Sequence, residues 1–377
     1  MKMVSDAALL SGRSASCVRV RSLVSVGIWG LVSILAVPGL SQPFGPPTAS
    51  QKPPFAVPED GYAVEARPGA PGSGMVVHYQ SETVPWQPFN GPGLPAGLQR
   101  RLLSQSPTMG ATSQITYVPA GWTERPGYDE VDNEFLVLEG DLSIGDGPNA
   151  ERLSKYSYSY IPAGTLRGPI RSRQGAVLLQ WIKGPPKFVA ATRSRQGART
   201  YARVRDWNQF KAAWYVGKPF PDYRTGGNFP GALHKLLRTD PDTGANTWMT
   251  FSASIPAPPS GKASNFGGGY EVHPSFEEYF FPEKSDDTVI GECLAQGETP
   301  VTYGNHTYWW RPGGIAHGGS LSRGSDKPAY TISLVRTGTP LWASYVADCS
   351  YKTGLEYRGA LGWRKYDYDV PRYRPRK

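Results

Sequence analysis

The 377-residue sequence predicts an all-β protein built from two similar units, and three observations carry that prediction. Glycine (44) and proline (36) make up about a fifth of the chain, while charged residues are only 19%; long helices tolerate such a composition badly and turn-rich β structure tolerates it well. Short β-rich runs follow one another closely at Gln114–Val118, Glu134–Leu138, Tyr156–Ile161 and Ala176–Trp181, each bounded by Gly, Pro, Asp or Asn. That spacing is the signature of a sandwich or small barrel. Third, the chain repeats itself. Leu102-Leu103-Ser104-Gln105-Ser106-Pro107-Thr108-Met109-Gly110-Ala111 matches Leu236-Leu237-Arg238-Thr239-Asp240-Pro241-Asp242-Thr243-Gly244-Ala245, and Pro162-Ala163-Gly164-Thr165-Leu166-Arg167-Gly168 matches Pro312-Gly313-Gly314-Ile315-Ala316-His317-Gly318 in the same order. The offset grows from the first match to the second, as loop insertions between strands of two homologous β domains require.

In chain order, residues 1–41 read as an export signal. Arg19 and Arg21 precede fifteen mostly apolar residues, Leu23 to Val37, and Pro38-Gly39-Leu40-Ser41 offers a cleavage point. Fifteen residues fall short of the roughly 20 that span a bilayer, with an uncleaved signal anchor as the alternative. The expected location is periplasmic or extracellular, with no membrane contact after cleavage. Residues 42–82, with Pro43, Pro46, Pro47, Pro53, Pro54, Pro58, Pro68 and Pro71, read as a semi-rigid extended linker. The two β units are expected over 83–195 and 196–345, followed by a basic tail over 346–377.

The formal charge of +9 does not imply nucleic acid as a partner. Part of it belongs to the leader, where Lys2, Arg13, Arg19 and Arg21 face only Asp6, and the basic end around Arg364, Lys365, Arg372, Arg374, Arg376 and Lys377 carries no zinc finger or aromatic RNA-binding motif. Such a tail is expected to be solvated. Cys17 falls within the leader, leaving Cys293 and Cys349. In an exported chain one disulfide between them is the natural hypothesis, two unbridged buried thiols the alternative.

With only five histidines, at 78, 234, 273, 306 and 317, any metal or acid/base chemistry has few sources. His78 and His234 are expected in surface or packing roles, and His306, close in sequence to the Trp309 strand, either packs or reaches the pocket. If Glu271 to Phe281 runs extended, Glu271, His273 and Glu277 share one face, because strand side chains repeat every two residues. About forty residues on, Trp309-Trp310-Arg311-Pro312-Gly313-Gly314-Ile315-Ala316-His317 offers a strand, a tight turn and a histidine on the strand that follows. A hairpin there brings His317 back toward the first strand.

These residues resemble the cupin family. Its first motif, His-x-His with a Glu four or five positions later, is matched by His273 and Glu277, with Glu271 in place of the first histidine; its second, Pro-x-Gly-x-x-His, is matched by Pro312, Gly314 and His317. Asn133-Glu134-Phe135-Leu136-Val137-Leu138-Glu139-Gly140 and Ile161-Pro162-Ala163-Gly164 look like the same strand and turns in the first unit, whose ligand positions read Gly127, Asp129, Asn133 and Arg167. The resemblance covers about 85–345. It implies two tandem double-stranded β-helix (jelly-roll) barrels, a bicupin, with the first barrel lacking its metal ligands and the second holding the active site.

His273, Glu277 and His317 form the two-histidine, one-carboxylate set of non-haem Fe(II) sites, so one divalent cation, Fe, Mn or Zn, is expected there. Glu271 is either a fourth ligand or a catalytic general base. A metal-free barrel with these residues hydrogen-bonded to one another is the alternative. In the first barrel, Arg167 is expected either to pair with Asp129 or Glu134 or to reach solvent at the mouth. The implied function is an exported metal-dependent enzyme acting on a small organic substrate, with dioxygenase-type chemistry ahead of lyase or isomerase chemistry. A non-catalytic small-molecule binding or sensing protein is the rival reading. Edge strands of such barrels pair between subunits, which allows a homodimer.

Overall fold

The computed structural model describes residues 77–365 apart from 107–108, 200–201, 205–214, 217–231, 242–243, 255–269, 274, 285–288, 295–296, 312–314, 324–328, 339–341 and 347–363. The leader, nearly all of the linker, Cys349 and all of the basic tail except Val346 and Arg364–Lys365 lie outside the described residues. Among the described residues the structure is all β, relieved by two single 3₁₀ turns at Ser81–Thr83 and Gly147–Asn149. No helix among them is long and apolar enough to cross a membrane.

Each barrel pairs a large sheet with smaller sheets across a core. In the first, a seven-stranded antiparallel sheet runs Ala202–Val204, Tyr158–Ile161, Asn133–Gly140, Ala176–Ile182, Thr112–Val118, Gln99–Gln105, Gln87–Pro88, and is accompanied by a four-stranded sheet of Thr123–Glu124, Ile170–Arg171, Leu142–Ile144 and Glu151–Leu153. In the second, the seven strands are Val77–Gln80, Thr307–Arg311, Glu277–Lys284, Ala329–Thr337, Asn246–Ser254, Ala232–Thr239 and Tyr215–Val216, with a six-stranded sheet centred on Val289–Leu294, His317–Arg323 and Tyr270–Val272.

The repeat read from sequence is a repeat of structure. Ser106 N–H donates to Ala111 O at 2.8 Å and Gly110 N–H to Ser106 O at 2.9 Å; Asp240 N–H donates to Ala245 O at 2.7 Å and Gly244 N–H to Asp240 O at 2.9 Å. Gly110 and Gly244 both take positive φ, 67° and 75°, which explains why the turn keeps glycine. The strand leading into each turn carries a register shift at the matching place, Leu102/Ser104 in one and Leu236/Arg238 in the other.

The edges of the two barrels are exchanged. Val77–Gln80, which the expected bounds put in the linker, pairs with Thr307–Arg311 of the second barrel (His78 opposite Trp309). Ala202–Val204, expected in the second barrel, pairs with Tyr158–Ile161 of the first. Within the expected basic tail, Arg364–Lys365 pairs with Trp342–Val346.

The large sheets are buried on both faces, and period-two alternation sorts their side chains. Phe135, Val137, Ala176 and Leu178 face the first barrel's own core with Leu142, Leu153 and Ile161. The intervening Leu136, Leu138, Val177, Leu179 and Trp181 pack in one cluster with Met249, Phe280, Trp310, Ile332 and Leu334 of the second barrel. Along the same seam Glu134 accepts hydrogen bonds from Tyr158 Oη at 2.6 Å and Thr247 Oγ1 at 2.5 Å, and Arg238 and Arg336 approach it to 3.7 and 3.9 Å.

Candidate metal centre

His273, Glu277 and His317 converge: each offers a ligand atom, and those atoms lie within 4.8 Å of one another. They arrive from three elements. Glu277 opens the strand Glu277–Lys284 opposite Arg311, His317 opens His317–Arg323 opposite Glu292, and His273 follows directly on Tyr270–Val272. The expectation of one extended run from Glu271 to Glu277 needs correcting. The strand stops at Val272 and a new one in a different sheet starts at Glu277, so it is this break, not strict alternation, that turns Glu277 toward His273. The backbone of Glu271 lies in register with His317, while its side chain lies outside what is described.

All three side chains are buried, Glu277 at 1% exposure. His273 Nε2 is 3.4 Å from Glu277 Oε1, which also accepts from Tyr279 Oη at 3.0 Å, and the two imidazoles stack with centroids 5.3 Å apart. Burial, together with the positive Arg311 and the neighbouring His273, holds the His317 imidazole well below its ordinary pKa, so it is neutral and keeps a lone pair.

Sequence reasoning missed two residues here. Arg311, 1% exposed, reaches the same carboxylate: its Nη1 donates to Glu277 Oε2 at 2.9 Å and contacts His317 Nδ1, while Nη2 donates to Glu292 Oε1 at 3.2 Å. The guanidinium lies over the Trp309 ring at 4.1 Å. Glu292 is fully buried and accepts from Tyr303 Oη at 2.9 Å, and its Oε2 is without a partner. Burial, outweighing the pull of Arg311, pushes its carboxyl up to about 7. The available signal was an ionisable residue inside an apolar strand, Arg311 ending Thr-Tyr-Trp-Trp-Arg and Glu292 within Val-Ile-Gly-Glu-Cys-Leu; such residues are almost never buried unless paired.

The donor set fits a divalent cation: two imidazoles, one held neutral, and an ionisable carboxylate at mutual distances that one ion can bridge. Arg311 competes for two of those donors.

The equivalent positions of the first barrel hold different chemistry. Gly127 bridges Arg167 in the way Glu271 pairs with His317. No larger residue fits there, because a Cβ on Gly127 would lie 2.2 Å from Val189 O. Arg167, 4% exposed, does not reach solvent. It pairs with Glu124 at 2.5 Å and, more weakly, with Asp129 at 3.5 Å. Its expected partner Glu134 instead belongs to the seam between the barrels. Asn133 Nδ2 donates to Asp129 at 3.4 Å. Of the other histidines, buried His306 contacts Glu82 and stacks on Phe280, and His78 stands edge-on to Tyr303. Cys293 is buried and disulfide-bonded, and its partner lies outside the described residues.

Among solved structures, the chain is similar to a candidate dioxygenase from Nostoc punctiforme, with a TM-score of 0.54 and 20% identity over 76% of this chain and 93% of that one. The fold is two tandem jelly-roll barrels of the cupin type. A domain of unknown function, DUF4437, matches residues 88–253 of the chain. More distantly, it is similar to an oxalate decarboxylase variant from Bacillus subtilis (TM-score 0.42, 10% identity, 72% of this chain and 79% of that one) and to a salicylate 1,2-dioxygenase from Pseudaminobacter salicylatoxidans (0.42, 11%, 72% and 86%). No curated protein matches the chain by sequence.

Proposed function

We propose that this bicupin is an exported metal-dependent enzyme acting on a small organic substrate with dioxygenase-type chemistry, and that the second barrel alone holds the metal. The observation that carries the reading is the convergence of His273, Glu277 and His317 in a buried cluster. These residues would hold one divalent cation, Fe, Mn or Zn, and Glu271, in register with His317, is the candidate fourth ligand or base. A cation bound there supplies Lewis acidity and open coordination positions for substrate and dioxygen.

The chain's own residues supply the rest. Arg311 holds Glu277 in place through its Nη1, and Tyr279 donates to the other carboxylate oxygen. Glu292 Oε2, unpartnered and on a carboxyl pushed up to about 7, is suited to accept and return a proton near neutral pH. The first barrel has Asp129, Asn133 and Arg167 where the second has His273, Glu277 and His317, so it offers no imidazole ligand at those positions.

The test is oxygen uptake by the full chain reconstituted with Fe(II) and offered a panel of small aromatic and aliphatic acids. Uptake that disappears in His273→Ala and His317→Ala supports the reading. Turnover without oxygen uptake assigns lyase or isomerase chemistry instead. Arg311 favours one rival reading, a non-catalytic binding protein, because a guanidinium on Glu277 and His317 provides a positive charge without a metal. Failure to bind any of the three metals would favour that rival.

A further inference from the structure

One hexapeptide occurs twice in the chain and is used in two different ways: Arg171-Ser172-Arg173-Gln174-Gly175-Ala176 recurs as Arg193-Ser194-Arg195-Gln196-Gly197-Ala198. The first copy is tied into the fold. Arg171 pairs with Asp146 at 2.6 Å and donates to Gly145 O at 3.1 Å, and buried Ser172 donates to Asp141 O at 3.0 Å. In the second copy every residue from Arg193 to Gly197 is exposed. The loop is nevertheless fastened across the turn 162–168. Arg195 N–H donates to Gly164 O and Leu166 N–H to Ser194 Oγ, both at 2.8 Å, and just upstream Ala191 N–H donates to Pro126 O at 3.2 Å. Arg195 lies so close over Gly164 that a Cβ there would come within 2.8 Å of its Nε.

This backbone anchoring carries guanidinium groups on the protein surface, and exposed Arg125, next to Pro126, adds another beside them. Arg125, Arg193 and Arg195 form no ion pair among the described residues. The acidic residues adjoining them in sequence are already engaged: Glu124 and Asp129 are buried against Arg167, and Glu130 pairs with Lys187 at 2.9 Å. Like charges grouped without a counter-charge are relieved by an anionic partner. All three are arginines, whose planar fork matches the two oxygens of a carboxylate. Among the described residues the only large apolar side chain that is exposed is Met109. Bases therefore find no ring to stack on, and a bilayer meets no side chain that inserts into it. What fits is a polymer recognised through its acid groups alone.

We propose that Arg125, Arg193 and Arg195 form a docking surface for an anionic polysaccharide, each guanidinium pairing with a carboxylate along the polymer. The surface lies on the outside of the first barrel, on the loop 191–199 and the neighbouring Arg125, and it works whether or not the second barrel holds a metal. Because the pairs are exposed, each contributes modestly and is screened by salt; binding comes from several acting together on one polymer.

The test is binding of the full chain to immobilised polygalacturonate at low salt, compared with a variant carrying Arg125→Gln, Arg193→Gln and Arg195→Gln together. A charge-matched control carries Arg152→Gln, Arg171→Gln and Arg173→Gln, which includes both arginines of the first hexapeptide copy. The expected result is binding that weakens as salt rises, a loss of tenfold or more in the patch variant, and a change within about twofold in the control. All six side chains are exposed, so both variants should melt with the wild type. A patch variant that binds like wild type would assign the attraction to the basic tail and overturn the proposal. An equal loss in the control would reduce it to net charge and overturn it too. Tighter patch-dependent binding to vesicles of anionic phospholipid, or to single-stranded DNA, would overturn the choice of partner.

Discussion

Replacing Arg311 by methionine tests how the second barrel balances its charge. The side chain is 1% exposed and holds two carboxylates, Glu277 at 2.9 Å and Glu292 at 3.2 Å. Methionine fills much of the same volume over Trp309 but leaves both carboxylates without a counter-charge. Breaking a buried pair in this way costs about 3–5 kcal/mol, and the lower end is expected because Glu292 can take up a proton. At roughly 2–4 °C per kcal/mol for a chain of this size, the melting temperature in chelator should fall by about 10 °C. A divalent cation on His273, Glu277 and His317 would replace the lost charge. Because Arg311 also competes for Glu277 and His317, its removal should tighten metal binding tenfold or more, adding about 1.4 kcal/mol to the metal-induced stabilisation. The assay is thermal unfolding of wild type and Arg311→Met, each with chelator and with saturating Mn(II). A variant as stable as wild type in chelator, or an identical metal-induced shift in both proteins, would refute the reasoning.

Three further outcomes are expected. The Glu124 carboxyl is raised from 4.5 to about 7, so the folded state binds its proton more tightly than the unfolded chain; the stability this provides is complete below pH 4.5 and is lost as pH rises through about 7, by up to about 3 kcal/mol. Melting temperatures of wild type between pH 5 and 8 should therefore fall more steeply than those of Glu124→Gln, and parallel profiles would count against it. Glu134→Ala removes the acceptor shared by Tyr158 and Thr247 and should cost about 3 kcal/mol in chemical denaturation, whereas a loss under 1 kcal/mol would show that the seam does not depend on it. Non-reducing peptide mapping should recover Cys293 joined to Cys349, and the two found as free thiols would remove that pairing.

The sequence carried the fold because the repeat is geometric as well as textual. Gly110 and Gly244 are both forced by positive φ, and the bulges at Leu102 and Leu236 recur with them, so the duplicated hairpin was visible as matching residues. The exchange of Val77–Gln80 and Ala202–Val204 between barrels was not visible. Edge pairing is decided by which sheet edge lies near, and a four-residue strand after a proline-rich stretch carries no mark of its partner.

At the site, His273, Glu277 and His317 were legible from residue type and spacing, though the reason first given for Glu277, strict alternation, does not hold. Arg311 and Glu292 were hidden because their meaning is long-range. Thirty-four residues separate Arg311 from Glu277, and only the pairing of Glu277–Lys284 with Thr307–Arg311 brings them together. The same holds for Arg167, whose partner proved to be Glu124, with its own strand pairing through Ile170, and not Glu134 on the strand that looked closer in the motif.

The central claim, that the second barrel holds one divalent metal on His273, Glu277 and His317, is tested most directly by metal content per chain. Purified full-length protein, reconstituted with Fe(II), Mn(II) or Zn(II) and desalted, should retain close to one equivalent, and His317→Ala close to none. Full occupancy in His317→Ala would place the metal elsewhere, and no retained metal in the wild type would contradict the claim.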